Sequence, residues 1–190
     1  KADFIGLVFY QKSPRFINAI EAKKLLKYVA PSQKVVGLFV NSDLNSLFHI
    51  NEYLNLDVIQ LHGEEDMSYV EEIKKLGKPI IKSIPVKSSI DVKNSKKYEK
   101  LCDMILFDTK SNIDVSGGTG SSFDWNLLSE YDSKKDWILA GGLKAENVAT
   151  ALKITKAPIV DVSSGIEKER GVKCEKKIKK FLKFIKDYHE

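Results

Sequence analysis

Several residue types fall where the chain could handle a small anionic substrate. In Leu106-Phe107-Asp108-Thr109-Lys110 an apolar run gives out at Asp108. A carboxyl at such a point, partly withdrawn from water, can serve as a general acid. A plain loop or cap aspartate fits the position equally well. Arg15, in Lys12-Ser13-Pro14-Arg15-Phe16, has a planar guanidinium that can fork onto a carboxylate or phosphate, although a turn containing Pro14 also suits an ordinary surface arginine. His62, in Gln60-Leu61-His62-Gly63-Glu64-Glu65, suits substrate binding or proton transfer, or simply a bond to a loop carbonyl.

Two later loops read together. Leu139-Ala140-Gly141-Gly142-Leu143 ends one apolar run, and Val160-Asp161-Val162-Ser163-Ser164-Gly165 ends the last. Gly141, Gly142 and Gly165 let backbone N–H groups approach an anion closely, and Ser163 and Ser164 add hydroxyl donors. This pairing points to a phosphate, with plain turn chemistry as the other reading of the same residues. A further loop, Ser116-Gly117-Gly118-Thr119-Gly120-Ser121, lacks the lysine and spacing of a nucleotide P-loop and suits a lid as well as a cradle.

The elements that must carry these loops alternate regularly. Apolar runs of strand length occur at Phe4–Phe9, Val35–Val40, Val58–Leu61, Pro79–Ile84, Met104–Phe107, Trp137–Ala140 and Ile159–Val162. Each is followed by helical spacing, as at Ile17 to Tyr28, Asp43 to Leu54, Asp66 to Leu76 and finally Glu175 to Tyr188. Alternating strand and helix predicts a parallel sheet in one α/β domain covering residues 1–190. No glycine-rich turn follows the first strand, and the glycine and serine loops cluster late. That is the habit of a (βα)8 TIM barrel, of which seven units are visible. A closed barrel needs an eighth, so a preceding strand and helix of roughly 20 residues are expected before Lys1.

Composition narrows the function. Charged residues at 30% beside 43% hydrophobic ones describe an ordinary globular surface and core. No apolar stretch spans a bilayer, no signal peptide is visible, and Cys102 and Cys174 have no pairing pattern, all consistent with the cytoplasm. Those cysteines and His49, His62 and His189 lack metal-type spacing, so no metal is expected. The net charge of +5 lies on lysine-rich helical stretches without a nucleic-acid motif, so neither nucleic acid nor membrane is an expected partner.

Taken in order, these segments resemble phosphoribosylanthranilate isomerase along the whole chain. The matching pieces are Gly6-Leu7-Val8-Phe9-Tyr10 with Lys12 to Arg15, Val36 to Asn41, Gln60 to Gly63, Gly117 to Gly120 with Phe123-Asp124-Trp125, Leu139 to Leu143 and Val160 to Gly165. The resemblance implies an Amadori rearrangement of N-(5′-phosphoribosyl)anthranilate to 1-(2-carboxyphenylamino)-1-deoxyribulose 5-phosphate, without metal or cofactor. It implies Asp108 as the general acid, Arg15 on the anthranilate carboxylate, and His62 and Asp161 at the substrate. It also implies Gly141, Gly142, Ser163, Ser164 and Gly165 at the phosphate. Apart from the resemblance, a monomer is expected rather than a homodimer. Two departures stand out. Ser121 occupies a position where many relatives carry lysine. The family's general base is a cysteine ending the first strand, a role that neither Cys102 nor Cys174 matches by position.

Rival readings are another phosphosugar barrel enzyme, such as an indole-glycerol-phosphate synthase or ribulose-phosphate epimerase, and a barrel that binds phosphosugars without turnover. The first has no need of Arg15 or of Gly117 to Trp125. The epimerase also wants metal ligands.

Overall fold

The computed structural model describes residues 1–109 and 122–189, and the loop residues Lys110 to Ser121 lie outside the described residues. The chain forms two compact units, Lys1–Ser83 with Lys97–Asp103, and Ile84–Lys96 with Met104–Glu190.

In the first unit, β1 (Phe4–Val8), β2 (Lys34–Phe39), β3 (Val58–Leu61) and the start of β4 (Ile80–Val86) lie side by side in chain order and pair in parallel. Ile5 stands opposite Val35, Val36 opposite Val58, and Ile59 opposite Ile80. All of β3 is buried, as a parallel strand covered on both faces must be, and its sequence is accordingly a continuous apolar run broken only by Gln60. A repeated clip sets the entry of the strands. The Asp57 carboxylate accepts from Val35 N at 2.8 Å, and the Asp103 carboxylate accepts from Ile80 N at 2.8 Å.

The crossovers are α1 (Ala19–Leu25), α2 (Leu44–Leu54) and α3 (Met67–Lys74). Their starts are chemically marked. Asn18, Asp43 and Asp66 each accept from the backbone N–H three residues on, satisfying a donor that the helix cannot. Asn55 closes α2 in the left-handed conformation at φ 53°. The spacing marks the buried faces of α2 (Leu47, Leu54) and α3 (Val70, Ile73), but in α1 only Ala22 is buried, and Ile20 and Leu25, expected on the same inward face, are exposed. In β2, a Cβ on Gly37 would run into Leu56 and the Phe39 ring, so the missing side chain is what admits the fully buried Leu56.

In the second unit, β5 (Met104–Thr109), β6 (Trp137–Leu139) and β7 (Ile159–Val160) also pair in parallel, Ile105 opposite Trp137 and Ile138 opposite Ile159. The rings of Phe107, Tyr131 and Trp137 meet edge to face with centroids 4.8–5.7 Å apart, the arrangement that aromatic quadrupoles prefer. α4 (Ser89–Ser95) opens on a reciprocal Ser88–Asp91 capping box. α5 (Val148–Thr155) turns Val148, Ala151 and Leu152 inward. The last helix, α6 (Glu175–His189), buries Phe181 and keeps Ile178, Leu182 and Ile185 half-buried on the same side.

Seven parallel strands therefore stand where the apolar runs placed them, with shifted ends. β4 runs on to Val86, and β7 shrinks to Ile159–Val160, although Asp161 N still donates to Leu139 O at 2.8 Å. After β5 the described helix is only a 3-10 turn, Trp125–Leu128, in place of a full α-helix. An unforeseen antiparallel hairpin, β8 (Glu167–Glu169) and β9 (Val172–Lys173), precedes α6. Among the described residues no helix is long and apolar enough to cross a membrane.

Candidate active site

Asp108 lies at the C-terminal end of β5 and is only 8% exposed. Its Oδ1 accepts from Thr109 N at 2.7 Å. The loop after β6 presses directly on this carboxylate. Gly141 sits at φ 84°, and a Cβ there would meet Thr109 Oγ1 and Thr109 N and would come to 3.0 Å from Asp108 Oδ1. Only glycine satisfies both the left-handed backbone and the lack of space. Gly142 follows at φ 65°.

The same loop is braced from the start of α5. Asn147 occupies the N-cap position but makes no side-chain cap bond. Its side chain points back instead, accepting from Lys144 N at 2.8 Å and donating to Gly142 O at 2.9 Å. The loop after β7 then meets it main chain to main chain, because a Cβ on Gly165 would collide with the Leu143 carbonyl. Gly142, Lys144, Glu146, Ser164, Gly165, Lys177 and Lys180 all line a pocket of about 450 Å³. Its charge is basic on balance, since Glu146 is already paired with Lys180 at 2.6 Å. That hydrogen bond holds the exposed Glu146 carboxyl below its ordinary pKa. Asp161 is exposed at the head of this loop. Asp108, Gly141, Gly142, Ser164 and Gly165 are thus gathered at the strand ends of one unit, as a phosphate site next to an acid requires.

The first unit holds Arg15 and His62. The loop after β1 doubles back on itself: Ser13 N donates to Tyr10 O, Arg15 N donates to Ser13 Oγ at 3.1 Å, and Ile17 N returns to Val8 O. Arg15 is half-buried in this tight loop, which answers the plain surface-turn alternative only in part. His62 continues β3, with its N–H on Phe39 O at 2.8 Å. Its Nδ1 lies 3.0 Å from Gln60 Nε2 and its Nε2 3.5 Å from Ser83 Oγ. In the tautomer protonated at Nε2, Nδ1 accepts from the Gln60 amide.

Behind His62 lies a charged cluster that sequence reasoning did not find. Lys82 on β4 and Glu65 pair at 2.9 Å with side chains 3% and 1% exposed. The ammonium also donates to Gly63 O at 2.6 Å and Ser83 O at 3.2 Å, and it lies 5.7 Å from the Tyr98 ring. Glu65 accepts from Asn41 N and Gly63 N, and its own carbonyl accepts from Tyr98 Oη at 3.0 Å. Lysine inside the apolar run Pro79 to Ile84 was the available signal, since a lysine is almost never buried without a partner. No cluster of three or more His, Cys, Asp or Glu side chains able to hold a metal occurs among the described residues. Cys102 is buried just before β5, at the end of that strand away from Asp108, and Cys174 stands between β9 and α6.

Comparison with known proteins gives a consistent result. The family model described as N-(5′phosphoribosyl)anthranilate (PRA) isomerase matches residues 1–184. The N-(5′-phosphoribosyl)anthranilate isomerase of Rhodospirillum rubrum is 38% identical over 192 residues, an alignment spanning 97% of this chain and 88% of that one. A crystal structure of phosphoribosyl anthranilate isomerase in complex with reduced 1-(o-carboxyphenylamino)-1-deoxyribulose 5-phosphate superposes with a TM-score of 0.85 at 34% identity, over 98% of this chain and 88% of that one. Monomers generated from the dimeric Thermotoga maritima isomerase superpose with a TM-score of 0.82 at 33% identity, over 98% and 88%.

Proposed function

Because the chain belongs to the N-(5′-phosphoribosyl)anthranilate isomerase family, we propose that Asp108 is its general acid and that Gly141, Gly142, Ser163, Ser164 and Gly165 hold the substrate phosphate. The reaction is the isomerisation of N-(5′-phosphoribosyl)anthranilate in tryptophan biosynthesis. Asp108 protonates the ribose ring oxygen and opens the ring to a Schiff base. A general base, a role that neither Cys102 nor Cys174 fills, takes the C2′ proton to give an enolamine, which tautomerises to the ketone. One carbon is oxidised as its neighbour is reduced, so acid–base groups suffice and no metal or cofactor is required. Arg15 pairs with the anthranilate carboxylate, while His62 and Asp161 contact the substrate.

The observation that carries this reading is the crowding at Gly141. The glycine loop is built against the Asp108 carboxylate with no room for a methyl group between them. A phosphosugar anchored by that loop presents its ring to the acid at a distance set by the backbone. The expected test is the decay of substrate fluorescence. Asp108→Asn is expected to lower kcat by about 10²–10⁴-fold with KM little changed. A variant that turns over at the parent rate would remove Asp108 from the mechanism.

The same reading takes residues 1–190 as one domain of the (βα)8 type, acting in the cytoplasm as a monomer, with neither nucleic acid nor membrane as partner. The Thermotoga maritima relative is dimeric, and the monomers generated from it superpose on this chain, so the fold itself does not depend on a partner subunit. Sedimentation at micromolar concentration tests the oligomeric part, and a dimer mass would overturn it.

A further inference from the structure

The β8–β9 hairpin has no part in the mechanism above, yet it contains a buried carboxylate. Glu167 is 6% exposed. Its Oε1 accepts from Lys173 Nζ at 2.9 Å, its Oε2 from Gly171 N at 3.2 Å, and its backbone carbonyl from Lys177 Nζ at 2.6 Å. Gly171 makes the turn at φ 87°, which sets Lys173 opposite Glu167 in the strand pair, and Cys174 N then donates to Ile166 O. Folding the chain back in this way delivers the Lys173 ammonium to Ser163, where it donates to the carbonyl at 2.9 Å and to Oγ at 3.1 Å.

We propose that Lys173, fixed by Glu167, is a positioning residue of the phosphate subsite, holding the Ser163 backbone in place and turning its hydroxyl into a donor for the anion. The chemistry is simple. An ammonium has no lone pair to accept with, so the Ser163 oxygen must take a hydrogen from it. The hydroxyl's own hydrogen is then available only to a different acceptor, and an anion is the strongest one offered. The second bond, to the Ser163 carbonyl, pins the start of the loop from which Ser164 and Gly165 follow. The positive charge adds a favourable field for phosphate, tempered by Glu167. Burying the Glu167 carboxylate is costly unless it is paired, and its bonds from Lys173 and from Gly171 N offset that cost while aiming the lysine.

This inference rests on the reading of Ser163 as a phosphate residue, and the experiment separates the two. Binding of inorganic phosphate and of the reduced product analogue is measured by calorimetry on the full chain, for the parent, Lys173→Met, Lys173→Arg, Ser163→Ala and the double variant Lys173→Met/Ser163→Ala. KM and kcat are measured beside it. Lys173→Met is expected to weaken phosphate binding about tenfold and raise KM equally, with kcat within about twofold. Lys173→Arg keeps the charge and the donors and should recover most of the affinity. Ser163→Ala should match Lys173→Met, and the double variant should be no worse than either single one, because both remove the same aimed hydroxyl. If Ser163→Ala weakens phosphate binding but neither lysine variant does, the positioning role fails and the phosphate reading stands. If Ser163→Ala leaves phosphate binding intact, the reading beneath the proposal fails too. A Lys173→Met chain that does not fold, together with a folded Lys173→Arg chain that binds phosphate tenfold less tightly, would also overturn the proposal, since arginine preserves what it requires.

Discussion

The strand-end loops of the two units are held mainly by different means. Around His62 the holding force is buried charge: all three Lys82 hydrogens are engaged, by Gly63, Glu65 and Ser83. Around Gly141 and Gly165 it is backbone pressed against Thr109, Asp108 and Leu143 where side chains are absent, braced from outside by Asn147 and Lys173. A charge network consumes its donors in holding itself together. Bare backbone packing consumes none, and so leaves a loop's amides and hydroxyls to a ligand. The helix starts differ in the same sense. Asp43 and Asp66 spend their carboxylates on their own helices, whereas Asn147 turns its side chain back to the glycine loop.

The largest effect should come from breaking the buried pair. Glu65→Ala leaves Lys82 charged and buried without a counter-ion and is expected to cost about 3–5 kcal/mol in urea unfolding. The double variant Glu65→Leu/Lys82→Met should restore most of that stability. If the single and double variants are equally unstable, the pair is not what holds this loop. Next comes Gly141→Ala, which forces a methyl group into Thr109 in a left-handed backbone. It is expected to cost about 1–3 kcal/mol and to lower activity together with stability.

Smaller still is the contrast between helix starts. Asp66→Ala should cost about 1 kcal/mol with no change in phosphate binding. Asn147→Ala should do the reverse, weakening phosphate binding at little cost in stability. Equal behaviour of the two would erase the distinction. The smallest effect is a pH dependence in the first unit. Tyr69 donates to Ser42 O at 2.8 Å, and burial, helped by the Glu65 and Asp43 carboxylates, pushes its phenol up to about 12. The folded state thus keeps a proton that the unfolded chain releases near its ordinary pKa of about 10. This contribution is whole below about pH 10 and is lost as the pH rises toward 12. Urea midpoints should fall across that window, and Tyr69→Phe should flatten the fall.

Much of this was legible in the residues and some was not. Strand-length apolar runs and the aspartates before helices identified the strands and α2 and α3, because burial on both faces and unsatisfied helix donors leave direct traces in sequence. The expected helix after β5 is a 3-10 turn, since Trp125 to Leu128 is too short to develop a period. The β8–β9 hairpin escaped notice because its strands are mostly charged and too short for alternation to register. Asp108 and the glycine loops were visible as types at strand ends. Lys173 and Asn147 were not, because their roles depend on chain reversals that bring them back onto earlier residues. Ser121 and the Gly117–Gly120 loop lie outside the described residues.

The contact of Gly165 with the Leu143 carbonyl has a consequence for how this protein tolerates change. The width of the gap between the two loops is written in main-chain atoms, which substitution at position 143 leaves in place. A library that randomises residue 143 among apolar side chains should therefore preserve the gap, while position 165 admits one amino acid. Tolerance to mutation at this site is decided by a single hydrogen atom on one α-carbon.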